Sequence, residues 1–395
     1  MADFKETSVD YDMLVVGCGL SGAVVARHFA EKGKKVMIWE RRDHIAGNMY
    51  DYVDDHGILV HKYGPHTFHT NNKELYDYIC RYGEWVDYKL TCGAEIDGIC
   101  TPTPFNFQTI DDFYQPEEAA ELKRRIVQAF GDRQTATVVE VLEHPDPMIS
   151  GYARFLFEKD YSLYTAKQWG VPASEIDPSV LKRVPLRFSY DVGYFDDKYQ
   201  VMPKISYVKF FENLLNHPNI AIELNKDALE RLSVSNDGTA ILLDGETMNI
   251  PLVYTGALDE LFGCCEGSLP YRSLRFEWAY EDIENFQDMP VVAYPQAEHY
   301  TRVTEHRKLT LQKAKGTTYA IEYPLQYKQN SQSEPYYPVL TEQSDSQYSA
   351  YYEKASKVKN LYCCGRLADF KYYNMDQALE RAMQMCNDIY ANIYM

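Results

Sequence analysis

Apolar and polar positions at the start of the chain fall into blocks that read as strand, turn and helix. Tyr11–Val16 is a short apolar run that stops at Gly17-Cys18-Gly19-Leu20-Ser21-Gly22. From Ser21 to Glu31, Ala23, Ala26, Arg27 and Ala30 stand among small residues and long helix formers, until Lys32-Gly33 breaks the pattern. Val36–Trp39 is a second apolar run and closes on Glu40. Strand, glycine turn, helix, strand and acid in that order make a βαβ unit of about thirty residues. Ile220–Leu224, Ala240–Leu243, Leu252–Thr255 and Leu361–Cys364 are further short strands expected to complete the same domain. An amphipathic helix is expected from Met375 to Ile393, where Leu379, Ala382, Met383, Cys386, Ile389 and Tyr390 recur at helical spacing.

The pattern therefore predicts an α/β fold with a discontinuous Rossmann-like domain over 1–88, 200–262 and 346–395. Residues 105–170 read as a helical insertion, with Pro116 opening an amphipathic segment. Residues 89–104, 171–199 and 263–345 are expected to form an antiparallel sheet that carries the substrate, on the alternation of Leu274–Trp278 and Thr317–Tyr323. Gln326–Tyr337 reads as a surface loop.

Composition narrows the function. The chain has 395 residues, 45% of them hydrophobic, which is enough to bury a core without disulfides. With 40 basic and 58 acidic residues the net charge is −18, and no basic run offsets it, so nucleic acid and anionic lipid are unfavoured partners. An anionic substrate needs a local cluster of arginines working against that field. The 34 tyrosines lift the aromatic share to 14%, which suits sites that stack rings and hold polar groups. The nine cysteines form no C-x-x-C, so the vicinal pairs Cys264-Cys265 and Cys363-Cys364 read as buried free thiols in a reducing cytoplasm. Neither a signal peptide nor an apolar run long enough to cross a membrane is found.

The glycine turn lets the backbone approach a pyrophosphate seated on the helix N-terminus, and Glu40 can accept hydrogen bonds from a ribose. Arg41 and, a little later, Gly47-Asn48 continue from that acid. His61, His66 and His69 stand close together, but without metal-ligand spacing; Gly64-Pro65 is expected to expose His66 for a ring-stacking or polar role near a cofactor. Arg183 and Arg302 can each grip a diphosphate bidentately, with tyrosine hydroxyls assisting. No nucleophile motif competes, so the hard chemistry is expected from the cofactor.

Taken together, the stretches GCGLSGAVVA, HKYGPHTFHT, YTAKQWG, LKRVPLRF, YTRVTEH, EPYYP and GRLADFKYYNMDQ resemble the bacterial UDP-galactopyranose mutases along nearly the whole chain. The resemblance implies reduced FAD whose N5 attacks the anomeric carbon, interconverting UDP-galactopyranose and UDP-galactofuranose with no net redox change. It implies that His66 lies beside the flavin and that Arg183 and Arg302 clamp the diphosphate with Tyr194, Tyr323 and Tyr372. Tyr164 and Thr165 would lie near the base, and Trp169 and Asn374 in the substrate pocket. Gly17, Gly19, Ser21, Gly22, Glu40, Arg41, Gly47, Asn48, Gly365, Arg366 and Met375 would hold FAD. It further implies a UDP-sugar as substrate, NAD(P)H or another reductant to prime the flavin, and a homodimer.

The chain departs from the family pattern at Leu90, Val292, Asn374 and Ala46. Asp160 also departs, standing where an aromatic residue stacks on uracil, unless a one-residue slip puts Tyr161 there. A mutase for UDP-N-acetylgalactosamine or a dTDP-6-deoxyhexose is the alternative within the class. An FAD-dependent oxidoreductase and a non-catalytic nucleotide-binding protein are the alternatives outside it.

Overall fold

The computed structural model describes residues 11–170, 185–328 and 333–394. Its first element, β1 (Met13–Val16), turns through Gly17 into helix α1 (Leu20–Glu31) and returns as β2 (Val36–Trp39). Both strands and most of α1 are buried, as expected of a parallel sheet covered by helices. The sheet has five parallel strands in the order Ile220–Glu223, β2, β1, Leu252–Tyr254, Leu361–Cys363. It thus gathers strands from the beginning, middle and end of the chain. The helix Met375–Tyr394 packs against α1, with Leu379, Ala382, Cys386 and Ile389 in one core with Ala23, Val24 and Phe29.

Ile241–Leu243 does not join that sheet. It pairs antiparallel with Leu232–Val234 and Glu246–Thr247. Asp244 (φ 51°) and Gly245 (φ 85°) explain the difference, because two consecutive positive φ values turn the chain straight back as a hairpin.

A second sheet of seven strands runs Tyr337–Pro338, Tyr271–Glu281, Thr317–Gln326, Arg302–Glu305, Val291–Ala293, Cys92–Ile96, Ile99–Thr103. All its pairings are antiparallel except that of Val291–Ala293 with Cys92–Ile96. The expected loop Gln326–Tyr337 instead begins and ends in strands of this sheet, while its residues 329–332 lie outside the described residues. Helices Phe107–Phe113, Pro116–Phe130, Val138–Leu142 and Pro147–Leu156 bury a separate apolar cluster that includes Ile110, Leu122, Ile126 and Leu156. The last of them continues through a π-helical turn, Phe157–Tyr161, into the helix Ser162–Trp169. A π turn holds one residue more than an α turn, so it rephases the side chains that follow.

The cysteine pairs are less buried than expected. Cys265 is exposed and Cys264 partly so, because they follow a short helix at the surface; of the other pair only Cys364 is fully buried. Among the described residues no helix is long and apolar enough to cross a membrane. No group of three metal-ligating side chains forms among them either.

Candidate active site

The glycine turn excludes a side chain at Gly17 and at Gly22, while Gly19 leaves ordinary contact room. Gly17 has φ 98°, and a Cβ there would stand 2.1 Å from the Thr255 hydroxyl oxygen. A Cβ on Gly22 would stand 2.1 Å from the carbonyl oxygen of Gly17, and one on Gly47 would stand 2.8 Å from Gly19 Cα. Helix α1 begins at this turn with no side-chain cap and no acidic residue in its first turn. Its leading amides therefore face outward as donors for an anion. The buried Glu40 carboxylate accepts from the Cys18 amide at 2.7 Å and the Arg42 amide at 3.0 Å, which fixes the acid beside the turn.

Ala46 (φ 75°) and Gly47 (φ 54°) bring the next loop back onto the turn, with the Ala46 amide donating to the Cys18 carbonyl at 3.0 Å. A glycine would take the Ala46 conformation without strain, which gives a backbone meaning to this departure. Asn48 accepts from Arg42 at 3.0 Å, and Arg41 and Arg42 both pair with Glu334. That contact joins the cofactor-side loop to the segment carrying Tyr336 and Tyr337. On the far side, Gly365 (φ 111°) lies against Ser21, and its amide donates to Asp369, itself paired with Arg381.

Arg302 and Glu322 stand opposite each other on adjacent strands and pair in two-pronged fashion, with both Nε and one terminal nitrogen 2.8 Å from the same oxygen. Glu322 is only 2% exposed. Burial alone would lower the Arg302 pKa, but the Glu322 carboxylate, with Tyr164 and Tyr337 nearby, holds it well above its ordinary value. Tyr164 and Tyr337 are electrostatic neighbours of this pair, and Tyr194 is in turn a neighbour of Tyr164. Tyr337 stacks on Tyr372 with centroids 5.2 Å apart, and Arg366 lies over both rings at 5.6 and 5.2 Å. Arg366 is steadied by the carbonyls of Tyr373 at 2.6 Å and Tyr336 at 3.3 Å.

The helix bearing Tyr164 is moored by Lys167, whose ammonium donates to the carbonyls of Tyr294, Ala297 and Tyr300 at 2.6 to 2.8 Å. Burial lowers that lysine to about 8. Arg272 caps the same helix by donating to the Gln168 carbonyl at 2.9 Å. Burial raises the Asp160 carboxyl to about 7, and the π turn leaves Tyr161 buried beside Phe105.

His66 is half-buried rather than exposed, because the turn at Gly64 folds against Phe276, Arg302 and Glu322. Its Nδ1 lies 2.8 Å from the Gly64 carbonyl, so the proton sits on Nδ1 and Nε2 is bare. Burial pulls its pKa down to about 4, and the nearby Arg366 and Arg302 add to the depression. Burial likewise lowers His306 to about 3. Both rings stay neutral in the folded protein near pH 7, whereas the unfolded chain protonates them near 6.5. Acidification below pH 6.5 thus loads protons onto the unfolded state, and the stability held at pH 7 is lost progressively down to about pH 4 for His66 and about pH 3 for His306. In an NMR titration the His66 ring resonances are expected to stay still from pH 8 to pH 5, with a midpoint of about 4. A midpoint near 6.5 would refute this placement.

Several expected residues converge here and others do not. His66, Tyr164, Arg302, Arg366 and Tyr372 lie in one cluster, and the buried Thr165 follows Tyr164 on its helix. Asn374 directly precedes the last helix, and Met375 opens it while packing on the core. Arg183 lies outside the described residues, and of Trp169 only the helical backbone is described. Tyr323 stands apart. It is one residue from Glu322, hence on the opposite face of the strand, where its hydroxyl donates to Glu277 at 2.8 Å and Arg275 covers its ring. Tyr337 and Glu322 occupy the cluster instead. Leu90 and Val292 are both buried, and Leu90 packs in an apolar cluster with Tyr194, whose amide donates to the Leu90 carbonyl at 2.7 Å.

Comparison with known proteins finds related sequences and the same fold. A family model described as UDP-galactopyranose mutase matches residues 159–372, and one described as NAD(P)-binding Rossmann-like domain matches 15–82. A dTDP-fucopyranose mutase of Escherichia coli is 35% identical over 96% of this chain and 98% of its own length. A UDP-galactopyranose mutase of Mycoplasma genitalium is 35% identical over 93% of this chain and 92% of its own. The crystal structure of a reduced UDP-galactopyranose mutase superimposes with a TM-score of 0.73, covering 98% of this chain and 97% of that one, at 14% identity.

Proposed function

The chain belongs to the UDP-galactopyranose mutase family, a family of isomerases, and on that premise we propose that it interconverts UDP-galactopyranose and UDP-galactofuranose. The observation that carries the reading is the single cluster in which the Arg302–Glu322 pair, the neutral His66 and the stacked Tyr337 and Tyr372 meet. The turn fits a dinucleotide, since side chains are excluded at Gly17 and Gly22 and the helix amides are uncapped. Gly17, Gly19, Ser21 and Gly22 would take the FAD diphosphate and Glu40 the ribose. Arg41, Gly47, Asn48, His66, Gly365, Arg366 and Met375 would surround the rest. Reduced FAD, when bound, supplies a nucleophilic nitrogen for the anomeric carbon and leaves the reaction without net redox change.

The chain's own residues position the substrate. Glu322 presents the Arg302 fork to the substrate diphosphate, with Arg183 as its partner arm. The Tyr337 and Tyr372 hydroxyls donate to the same oxygens. Burial raises Tyr337 above its ordinary value, which keeps its phenol protonated and able to donate. His66 offers its bare Nε2 as an acceptor. Tyr164 and Thr165, with Trp169 on the same helix, would flank the base and sugar.

The test is to reduce the purified, flavin-loaded protein with dithionite, add UDP-galactofuranose and follow the pyranose by HPLC. Conversion only in the reduced state is expected; no conversion of any nucleotide furanose would sink the reading. The dTDP-fucopyranose mutase relative supports a second reading, a dTDP-6-deoxyhexose as substrate, to be run in the same assay. An oxidoreductase would instead consume oxygen or another acceptor in step with turnover.

A further inference from the structure

Behind His66 lie two more histidines that the chemistry above does not use. His61 is 1% exposed and His306 is 0% exposed, with ring centroids 5.9 Å apart. The His66 amide donates to His61 Nδ1 at 3.1 Å, and the His61 amide donates to His306 Nδ1 at 3.2 Å. Each Nδ1 is therefore bare, and each Nε2 carries the proton. Neither Nε2–H finds an acceptor among the described residues.

A buried donor left unpaired is unfavourable, so a ring kept at such a place calls for another reason. The main-chain bonds supply it. Tyr207 donates to the His66 carbonyl at 3.1 Å and sets its ring edge-on to His61, so the His66 peptide is held on both sides. His306 belongs to the short helix that follows Arg302–Glu305, and its ring stacks on Trp278. The register of His66 is thereby tied to the strand that carries Arg302.

We propose that His61 and His306 are positioning residues, a two-step relay of imidazole acceptors that sets His66 relative to Arg302. The inference rests on the reading above only in taking His66 to face the flavin; the hydrogen bonds themselves are independent of it. An Asn side chain places its carbonyl oxygen close to where a His Nδ1 stands, whereas Gln carries it one methylene farther out.

The test uses the full chain with its bound flavin and compares His61→Asn with His61→Gln. Hydrogen exchange at the His66 amide is expected to stay within about threefold of wild type in His61→Asn and to rise by about tenfold or more in His61→Gln. Steady-state kcat is expected to fall by roughly 10- to 100-fold in His61→Gln alone, with KM unchanged because the Arg302–Glu322 pair is untouched. The visible flavin spectrum should shift only in the Gln variant. His306→Asn and His306→Gln repeat the comparison one step back, at the His61 amide, should His61→Gln fail to fold. Equal exchange in the Asn and Gln variants overturns the proposal. A protein that turns over no nucleotide sugar overturns the mutase reading instead, while the exchange comparison still decides the relay.

Discussion

Replacing Arg302 by Ala is expected to lower kcat/KM by about a thousandfold, roughly 4 kcal/mol of transition-state binding. It should also cost the fold roughly 3 to 5 kcal/mol. Both effects follow from the Arg302–Glu322 pair. The guanidinium meets the carboxylate through two nitrogens at 2.8 Å, and the Glu322 side chain is 2% exposed. Removing the arginine takes away the cation proposed to grip the diphosphate and strands a carboxylate where water does not reach it. Lysine would restore charge but not the fork, so Arg302→Lys should recover stability better than activity. The double variant Arg302→Ala with Glu322→Gln separates the two effects, because it removes the stranded charge without restoring the clamp. It should regain much of the lost stability in urea unfolding and none of the turnover. An Arg302→Ala protein with near-normal kcat/KM would remove this residue from the site.

Gly22→Ala carries the second large effect. The new methyl would stand 2.1 Å from the Gly17 carbonyl oxygen, and the obstructing atom is backbone. No rotamer relieves that clash. Either α1 moves off the turn or the turn opens, and in both cases the amides proposed to hold the pyrophosphate lose their alignment. The variant is expected to purify without flavin colour and to unfold with a loss of at least about 3 kcal/mol. Adding FAD should not restore its absorbance spectrum. A yellow, fully stable Gly22→Ala protein would show that the turn has slack that the geometry denies. Gly33 is the matched control: it too has a positive φ, 81°, but a Cβ there meets nothing within 4 Å. Gly33→Ala should therefore show only the modest cost of its backbone conformation and keep the flavin.

The βαβ unit was legible because every cue in it is local. Apolar runs bounded by glycine and by Glu40 determine β1, α1 and β2 to within a residue or two at each end, and β2 runs from Val36 to Trp39 as read. The last helix was legible for the same reason, since its apolar stripe has the period of an α-helix. Ala240–Leu243 shows where such reading stops. Its apolar run alone could join any sheet; the cue that decides it is the adjoining hairpin dipeptide Asp244-Gly245 and not the periodicity of the run.

The site divides along the same line. Sequence pattern by itself determined that a dinucleotide turn exists, that an acid follows it at the right distance, and that arginines and tyrosines are available for an anion. Only the tertiary structure decided which of them meet. Glu322 and Tyr323 are neighbours in the chain, yet successive residues of a strand face opposite ways, so one reaches Arg302 and the other Glu277. Tyr337 reaches the cluster because its short edge strand pairs with Tyr271 and Arg272, a long-range choice with no local signal. The His66–His61–His306 relay is equally invisible in sequence, since it joins residues 245 positions apart through main-chain amides. Local periodicity encodes what each segment becomes; which side chains share a space depends on strand parity and on sheet order, and these are settled only when distant segments pack.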